Sequence, residues 1–369
     1  MKIDRITLTH VRIPLVEPFR ISNGEIGSKD GIVVGVHSEG VVGYGEASPM
    51  AGSFYSEDTP ESVWEHLVDD LLPAVVRESP STVDEVNAVL ERIPGSPFAR
   101  AGIETAWWDL IGQKSGRPLY KMLGGKRNRL ESGLAVGIYP SIDELGAAIE
   151  RYMVEGYKRI KIKIQPGWDV KPLEMVRKNF SGVPLMVDAN CAYRQADIPH
   201  LTHLDDFEMM MIEQPLPKND LEGHTLLQSK IKTPVCLDEG AENLAAVKRA
   251  IELRSCKIVN IKVQRVGGLK KAKEIHDVCA QAGIPVWAGT MPELGIGGVQ
   301  TLHLATLGNF TYPTDVESSR RWFVDDIVDP LITVDKGVIT IPEGNGNGCR
   351  LKEKAAQKYT VRELSVPSS

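Results

Sequence analysis

Three acidic residues stand at matched places in the chain: Asp188 in PLMVDAN, Glu213 in MMMIEQP and Asp238 in PVCLDEG, each 25 residues from the next. Each closes a short apolar run and so ends what reads as a β-strand. Neighbouring strands lie roughly 5 Å apart, and three carboxylates brought that close repel one another unless a cation lies among them. A strand-end Asp on its own is more often a turn or helix-cap residue; three in phase point to ligation. Oxygen donors without His or Cys suit a hard ion, Mg²⁺ with Mn²⁺ as a substitute, over Zn²⁺. Two lysines bracket the acidic set. Lys163 lies 25 residues before Asp188 in IKIKI, and Lys262 lies 24 after Asp238 in NIKVQRVGG. Lys161, two residues before Lys163, shares its face of the strand. A lone lysine is more often a surface residue with a snorkelling stem; lysines on both sides of a carboxylate triad point to proton transfer. A metal beside a carboxylate substrate stabilises the second negative charge that forms when the α-proton leaves. A lysine whose pKa is lowered by neighbouring cations can take that proton near neutrality.

These residues need a scaffold that brings strand ends together. Apolar runs recur at 134–138, 160–164, 184–190, 209–215, 234–240, 257–263 and 284–289, with a weaker one, NFTYP, at 309–313. Helical stretches such as SIDELGAAIERYMVEG, NLAAVKRAIE and LKKAKEIHDVCAQAG lie between them. A strand, a loop and a helix fit a 25-residue unit, and eight units make a (β/α)₈ TIM-type barrel whose last unit is short. An open doubly wound sheet is the competing α/β fold, but no GxGxxG follows a first strand. Residues 1–125 read as an α+β domain: three strands with Gly turns, then helices near 62–76, 81–93 and 98–116. GGKRNR marks the boundary, placing the barrel at 126–320. Residues 321–369 read as short strands and turns that partly return to the first domain, with a loose SVPSS end.

Charge is spread along the chain, with a formal net of -6, and no basic track suits nucleic acid. No uncharged apolar run approaches the ~20 residues of a membrane span. Five cysteines without a CxxC pair argue against a disulfide framework. The charged start, MKIDRITLTHVRIPL, does not read as a secretory signal, so a cytoplasmic location is expected. GNGNG at 344–348 has no following Lys-Ser/Thr and reads as a turn rather than a phosphate cradle. Cys191 reads as a packed thiol.

The chain resembles the enolase superfamily in its muconate-lactonising branch, and within it the o-succinylbenzoate synthases and N-succinylamino (N-acylamino) acid racemases. The resemblance runs over almost the whole length: IPLVEPFR, MAGSFYSED, YKRIKIKIQPGWDV, VDANCAY, IEQPL, TPVCLDE, IVNIKVQRVGG and IPVWAGTMPELGIG. It implies that Asp188, Glu213 and Asp238 bind Mg²⁺ and that Lys163 is the base on one face of the substrate. Lys262 acts from the other face in racemisation and stabilises the enolate in the synthase reaction. Lys161 neutralises the carboxylate and tunes Lys163. The first domain then caps the barrel and shapes specificity through Phe19 to Ile21 and Met50 to Tyr55. Asn190, Glu239, Met291, Glu293, Trp287 and Asp315 are expected around metal or substrate, Glu293 and Asp315 as ligands or lysine partners and Trp287 as pocket lining or core. The partner is a small carboxylate, and an assembly of identical chains is expected. Gly240, Gln264, Thr290, Pro292 and Ala135 depart from the pattern without removing a charged participant. A dipeptide epimerase, reading a substrate ammonium through Asp315 and Glu317, is the alternative within the superfamily. A sugar-acid dehydratase lacks its strand-seven His here, and a non-catalytic scaffold barrel is the alternative outside catalysis.

Overall fold

The computed structural model describes residues 2–52 and 54–367. Three antiparallel strands open the chain: β1 (Arg5–Ile21), β2 (Gly24–Ser38) and β3 (Val41–Ala47). The β2–β3 turn puts Glu39 and Gly40 at φ 53° and 82°, the pair of positive values a tight hairpin demands. Helical segments over 60–78, Val83–Glu91 and Pro97–Ser115 follow. The last begins at a Ser96 cap with Pro97 in its first turn and ends at left-handed Gly116. It crosses β3 so closely that a Cβ at Gly45 would lie 2.1 Å from the Gly102 carbonyl oxygen, which reserves that place for glycine. Trp107 is buried in this layer and Trp108 half-buried, bonded to Glu104.

Seven parallel strands come next, each paired with its sequence neighbours: Leu134–Val136, Ile160–Lys163, Leu185–Asp188, Met211–Glu213, Val235–Leu237, Ile258–Ile261 and Val286–Ala288. Capped helices pass between them, Ile142–Met153 from Ser141 and Leu244–Leu253 from Asn243 among them. Alternation sorts the side chains. Ile160, Ile162, Val187 and Ile212 join the core between sheet and helices. Met186, Met211, Cys236, Ile258 and Trp287 form a separate cluster on the other side, the floor of the barrel.

The eighth unit departs from expectation. Residues 309–313 form no strand: Phe310 bridges Val286 and Thr314 bridges Ser132 at single points. Pro313 has no N–H to give a ladder, and the run is too short to build one around it. Two backbone bonds, from the Gly133 N–H to the Thr314 carbonyl and from the Thr314 N–H to the Glu131 carbonyl, both at 2.9 Å, close the seam, and side chains reinforce it. Glu317 accepts the Ala135 N–H at 2.8 Å, Arg321 donates to the Ala135 carbonyl at 3.2 Å, and Ser132 Oγ donates to the Val316 carbonyl at 2.6 Å. The architecture is thus a modified TIM barrel with an antiparallel cap. The tail pairs Val338–Thr340 with Arg129–Glu131 and adds Thr360–Pro367 to β1 as a fourth strand of the cap sheet. Ser365 to Pro367 are therefore held in an edge strand rather than loose; Ser368 and Ser369 lie outside the described residues. Among the described residues no helix is long and apolar enough to cross a membrane.

Candidate active site

Register carries the acidic residues to one level. Lys163 pairs with Asp188 and Asp188 with Glu213, while Asp238 follows the strand Val235–Leu237. One oxygen from each carboxylate lies within 4.8 Å of the others, and all three residues are buried. Three buried, convergent oxygen donors fit a hard divalent cation. Lys161 reaches in from below, its Nζ 3.0 Å from Asp188 Oδ2, 2.7 Å from Glu213 Oε2 and 3.0 Å from Asp315 Oδ2. Lys163 donates to Asp188 Oδ2 at 2.6 Å and to Asn190 Oδ1 at 2.9 Å. On the far side Lys262 donates to Asp238 Oδ2 and to the Tyr55 hydroxyl, both at 2.9 Å. One lysine thus touches the first carboxylate of the set and another the last.

The electrostatics reflect crowding. Burial, then the charge of Asp188, pushes the Glu213 carboxyl up to about 8. Burial, then Asp238 and Asp188, raises Glu239 to about 7. Burial disfavours the charged forms of Lys161 and Lys262, but Asp315, Glu213 and Asp188 around the first and Asp238 beside the second carry both above the ordinary lysine range. Lowering by neighbouring cations, expected from the sequence, is outweighed at these two because carboxylates stand nearer than other ammonium groups.

Further residues hold the set in place. Asn260 donates to Glu213 Oε1 at 2.6 Å and accepts the Gly289 N–H. Gln214 Oε1 accepts the N–H groups of Asp238 and Gly240, both at 2.9 Å. A Cβ at Gly240 would stand 3.0 Å from the Lys218 carbonyl, so the turn after Asp238–Glu239 is tightly drawn. Arg265 bonds Asp238 and the Asn260 carbonyl. Sequence alone gives Asn260, Gln214 and Arg265 no place in the site, and marks Gly240 only as a departure from the pattern. Asn260 was findable, since it shares a strand face with Lys262 two residues on, and so was Arg159, on the face of Lys161 and Lys163.

The other expected residues divide. Asn190 links Lys163 to Glu239, donating to Glu239 Oε1 at 2.9 Å. Phe19 lies with its ring centroid 5.9 Å from Lys163 Nζ and packs edge-on against Trp322. Ile21 and Met50 are buried in the cap core. Tyr55 also lies over Lys262, its ring centroid 4.6 Å from Nζ. Trp287 does not line the mouth: it is wholly buried in the barrel floor, with Nε1 donating to Cys236 Sγ at 3.2 Å. Its position is one turn of the pleat below the strand end. Met291 and Glu293 are buried beside the cap, and neither joins the triad. Cys191 is half-buried at the rim, its thiol raised by burial and by Glu239, Asp238 and Asp188, which favours the protonated thiol. A cleft of about 850 Å³, lined by Tyr55, Cys191, Glu239, Leu244 and Arg265 among others, leads to the Asp238 side.

Asp315 is a lysine partner. It accepts from Arg159 at 2.7 Å and Lys161 at 3.0 Å, and although burial opposes ionisation these cations hold its carboxyl down at about 2. Its stabilisation is complete above the usual carboxylate range and is lost only as pH falls towards that value. Asp315→Asn, which takes the ion-pair partner from buried Arg159 and one of three carboxylates from Lys161, is expected to cost about 3–5 kcal/mol in urea denaturation. A loss under about 1 kcal/mol would show that the pair is not bearing on stability.

Fold and site together define a class: a capped barrel enzyme that removes the proton next to a substrate carboxylate. Residues 144–355 match the family described as enolase C-terminal domain-like, and residues 3–124 match the mandelate racemase / muconate lactonizing enzyme N-terminal domain. An o-succinylbenzoate synthase of Geobacillus kaustophilus is 41% identical over 361 residues, 98% of this chain and 96% of its own. An N-succinylamino acid racemase of Thermus thermophilus is 37% identical over 369 residues, 100% of both chains. The crystal structure of an enolase-superfamily member from Listeria innocua matches with a TM-score of 0.95 at 34% identity over 100% of both chains. The chain belongs to the enolase superfamily, in its mandelate racemase and muconate-lactonizing subgroup.

Proposed function

We propose that this site binds Mg²⁺ through Asp188, Glu213 and Asp238, dehydrates the cyclohexadiene precursor of o-succinylbenzoate and racemises N-succinyl amino acids. The observation that carries this reading is the placement of Lys163 and Lys262 at opposite ends of the carboxylate set. Relatives bearing both names align over nearly the whole chain. The bound cation supplies Lewis-acid stabilisation of the charge that builds on the substrate carboxylate. Lys163 takes the α-proton on its face, and Lys161 adds a fixed positive charge beneath. In racemisation Lys262 returns a proton to the α-carbon from the opposite face. In dehydration the proton on Lys163 passes to the departing β-hydroxyl on the same face, giving water and a syn elimination, while the Lys262 ammonium balances the enolate. Phe19 stands beside Lys163 and Tyr55 over Lys262 at the mouth.

The dipeptide-epimerase reading asks Asp315 and Glu317 to meet a substrate ammonium. Asp315 is taken up by Arg159 and Lys161, and Glu317 is buried against Ala135 N and Arg321, so the site disfavours it. Incubation in D₂O with an N-succinyl amino acid and with the cyclohexadiene substrate tests the proposal. Deuterium entry at the α-carbon with racemisation, and formation of the aromatic product, are expected, both ceasing after EDTA and returning with Mg²⁺. Exchange that continues at the full rate without divalent ions would refute the mechanism, and inertness towards both substrates would refute the substrate assignment.

A further inference from the structure

Away from the triad, a second set of buried charges sits where cap and barrel meet. Lys29 on β2 is fully buried, yet among the described residues its ammonium forms no ion pair. It donates to the carbonyls of Ser48 at 3.0 Å and Pro49 at 2.9 Å, and more distantly to Met291 at 3.4 Å. The first two begin the cap loop that carries Met50 and Tyr55; the third lies after barrel strand Val286–Ala288. Glu46, at the end of β3, accepts the N–H groups of Leu294 and Gly297, both at 2.8 Å, at the start of the helix Gly295–Leu304. Gln264 completes the bridge, donating to the Glu46 carbonyl at 2.8 Å and accepting the Ser48 N–H at 3.0 Å. It lies two residues after Lys262.

We propose that Lys29 is a positioning residue for the reaction, fastening the root of the loop at 48–55 to the loop after the seventh barrel strand and so holding Tyr55 over Lys262 and Asp238. A buried ammonium is costly to keep, and a role limited to filling space would be met by Met or Leu. Three carbonyls from two separate loops are what only a multi-donor cation can gather at one point. The adjoining Glu293 does not hydrogen-bond the ammonium among the described residues and acts on it only from a distance, as does Glu46. Burial nonetheless lowers Lys29 to about 8, against the opposing pull of Glu293 and Glu46.

The test is Lys29→Met, read by backbone hydrogen exchange and by steady-state kinetics. The kinetic arm rests on the proposed racemase activity; the exchange arm does not. Faster exchange is expected in 48–55 and 290–294 together, with β1 and the barrel strands unchanged. KM for an N-succinyl amino acid should rise about 10-fold with kcat changed less than about 3-fold, and Lys29→Arg should restore part of the difference. Unchanged exchange in both loops overturns the proposal, as does wild-type KM in an enzyme that racemises. If Lys29→Met fails to fold, Gln264→Leu removes the other half of the bridge and should loosen 48–55 in the same way; unchanged exchange there overturns the proposal equally. A wild-type chain inert towards succinyl substrates counts against the substrate assignment alone, because the exchange arm still decides the role of Lys29.

Discussion

Lys163→Ala is expected to lower racemisation of an N-succinyl amino acid by at least about 10³-fold, the upper range for loss of a general base. The effect should exceed that of any cap substitution, because Lys163 is the group that touches Asp188 and Asn190 on one face of the site. Lys262→Ala should reduce racemisation as severely, since inversion needs a proton removed on one face and returned on the other. The two variants should differ in what survives. Each retains one lysine, so each should still wash deuterium into the α-position of one enantiomer only, without inverting it, and the favoured enantiomer should switch between them. Chiral chromatography with ¹H NMR of the recovered substrate reads both outcomes. Wild-type racemisation by either variant would end the two-face account. Wash-in to both enantiomers by one variant would mean that a group other than these lysines acts as base.

Glu213→Gln is expected to weaken Mg²⁺ binding about 100-fold, or about 2.8 kcal/mol, with a matching loss of turnover at limiting metal. Glu213 is the middle donor, buried between Asp188 and Asp238, and the change removes one of three negative charges from the set. Without metal the Glu213 carboxyl is pushed up to about 8 and is already largely neutral at neutral pH, so the metal-free variant should unfold at no lower denaturant concentration than the metal-free wild type. Isothermal titration calorimetry and urea unfolding, each with and without Mg²⁺, separate the two effects. Undiminished affinity would remove Glu213 from the ligand set. Weaker affinity accompanied by lower metal-free stability would assign it a structural role instead.

The chemistry of the mouth was legible because it depends on local rules that leave marks in sequence. The 25-residue rhythm fixes the level of Asp188, Glu213 and Asp238, and the two-residue pleat places Lys161 and Lys163 on one face. The same rules leave Trp287 open between pocket lining and core, since periodicity says which face a residue occupies but not how far below the rim it lies. NFTYP reads as an eighth strand on its apolar residues alone, and Pro313 is the residue that denies it a ladder. The contacts of Gln264 with Glu46 and Ser48 span more than 200 residues. No local pattern reports such a meeting, which is set by how the cap sits on the barrel. That also accounts for the amide of Gln264, which is bound to the cap; nothing in the structure explains Ala135, whose bonds to Glu317 and Arg321 are made by its backbone.

The seam at the eighth position also says something about chain entropy. Joining one barrel strand to the next closes a loop of about 25 residues, whereas the Ser132–Val316 bond closes one of 184. By the logarithmic scaling of loop closure, the longer loop costs only about 1.8 kcal/mol more. A net gain of about 0.5–1.5 kcal/mol per hydrogen bond means that two or three side-chain bonds offset the difference. The bonds from Ser132, Glu317 and Arg321 are of that number. The cylinder is therefore shut by a few bonds acting as a clasp, backbone ones at Thr314 and side-chain ones from Ser132, Glu317 and Arg321, without the continuous ladder of an eighth strand.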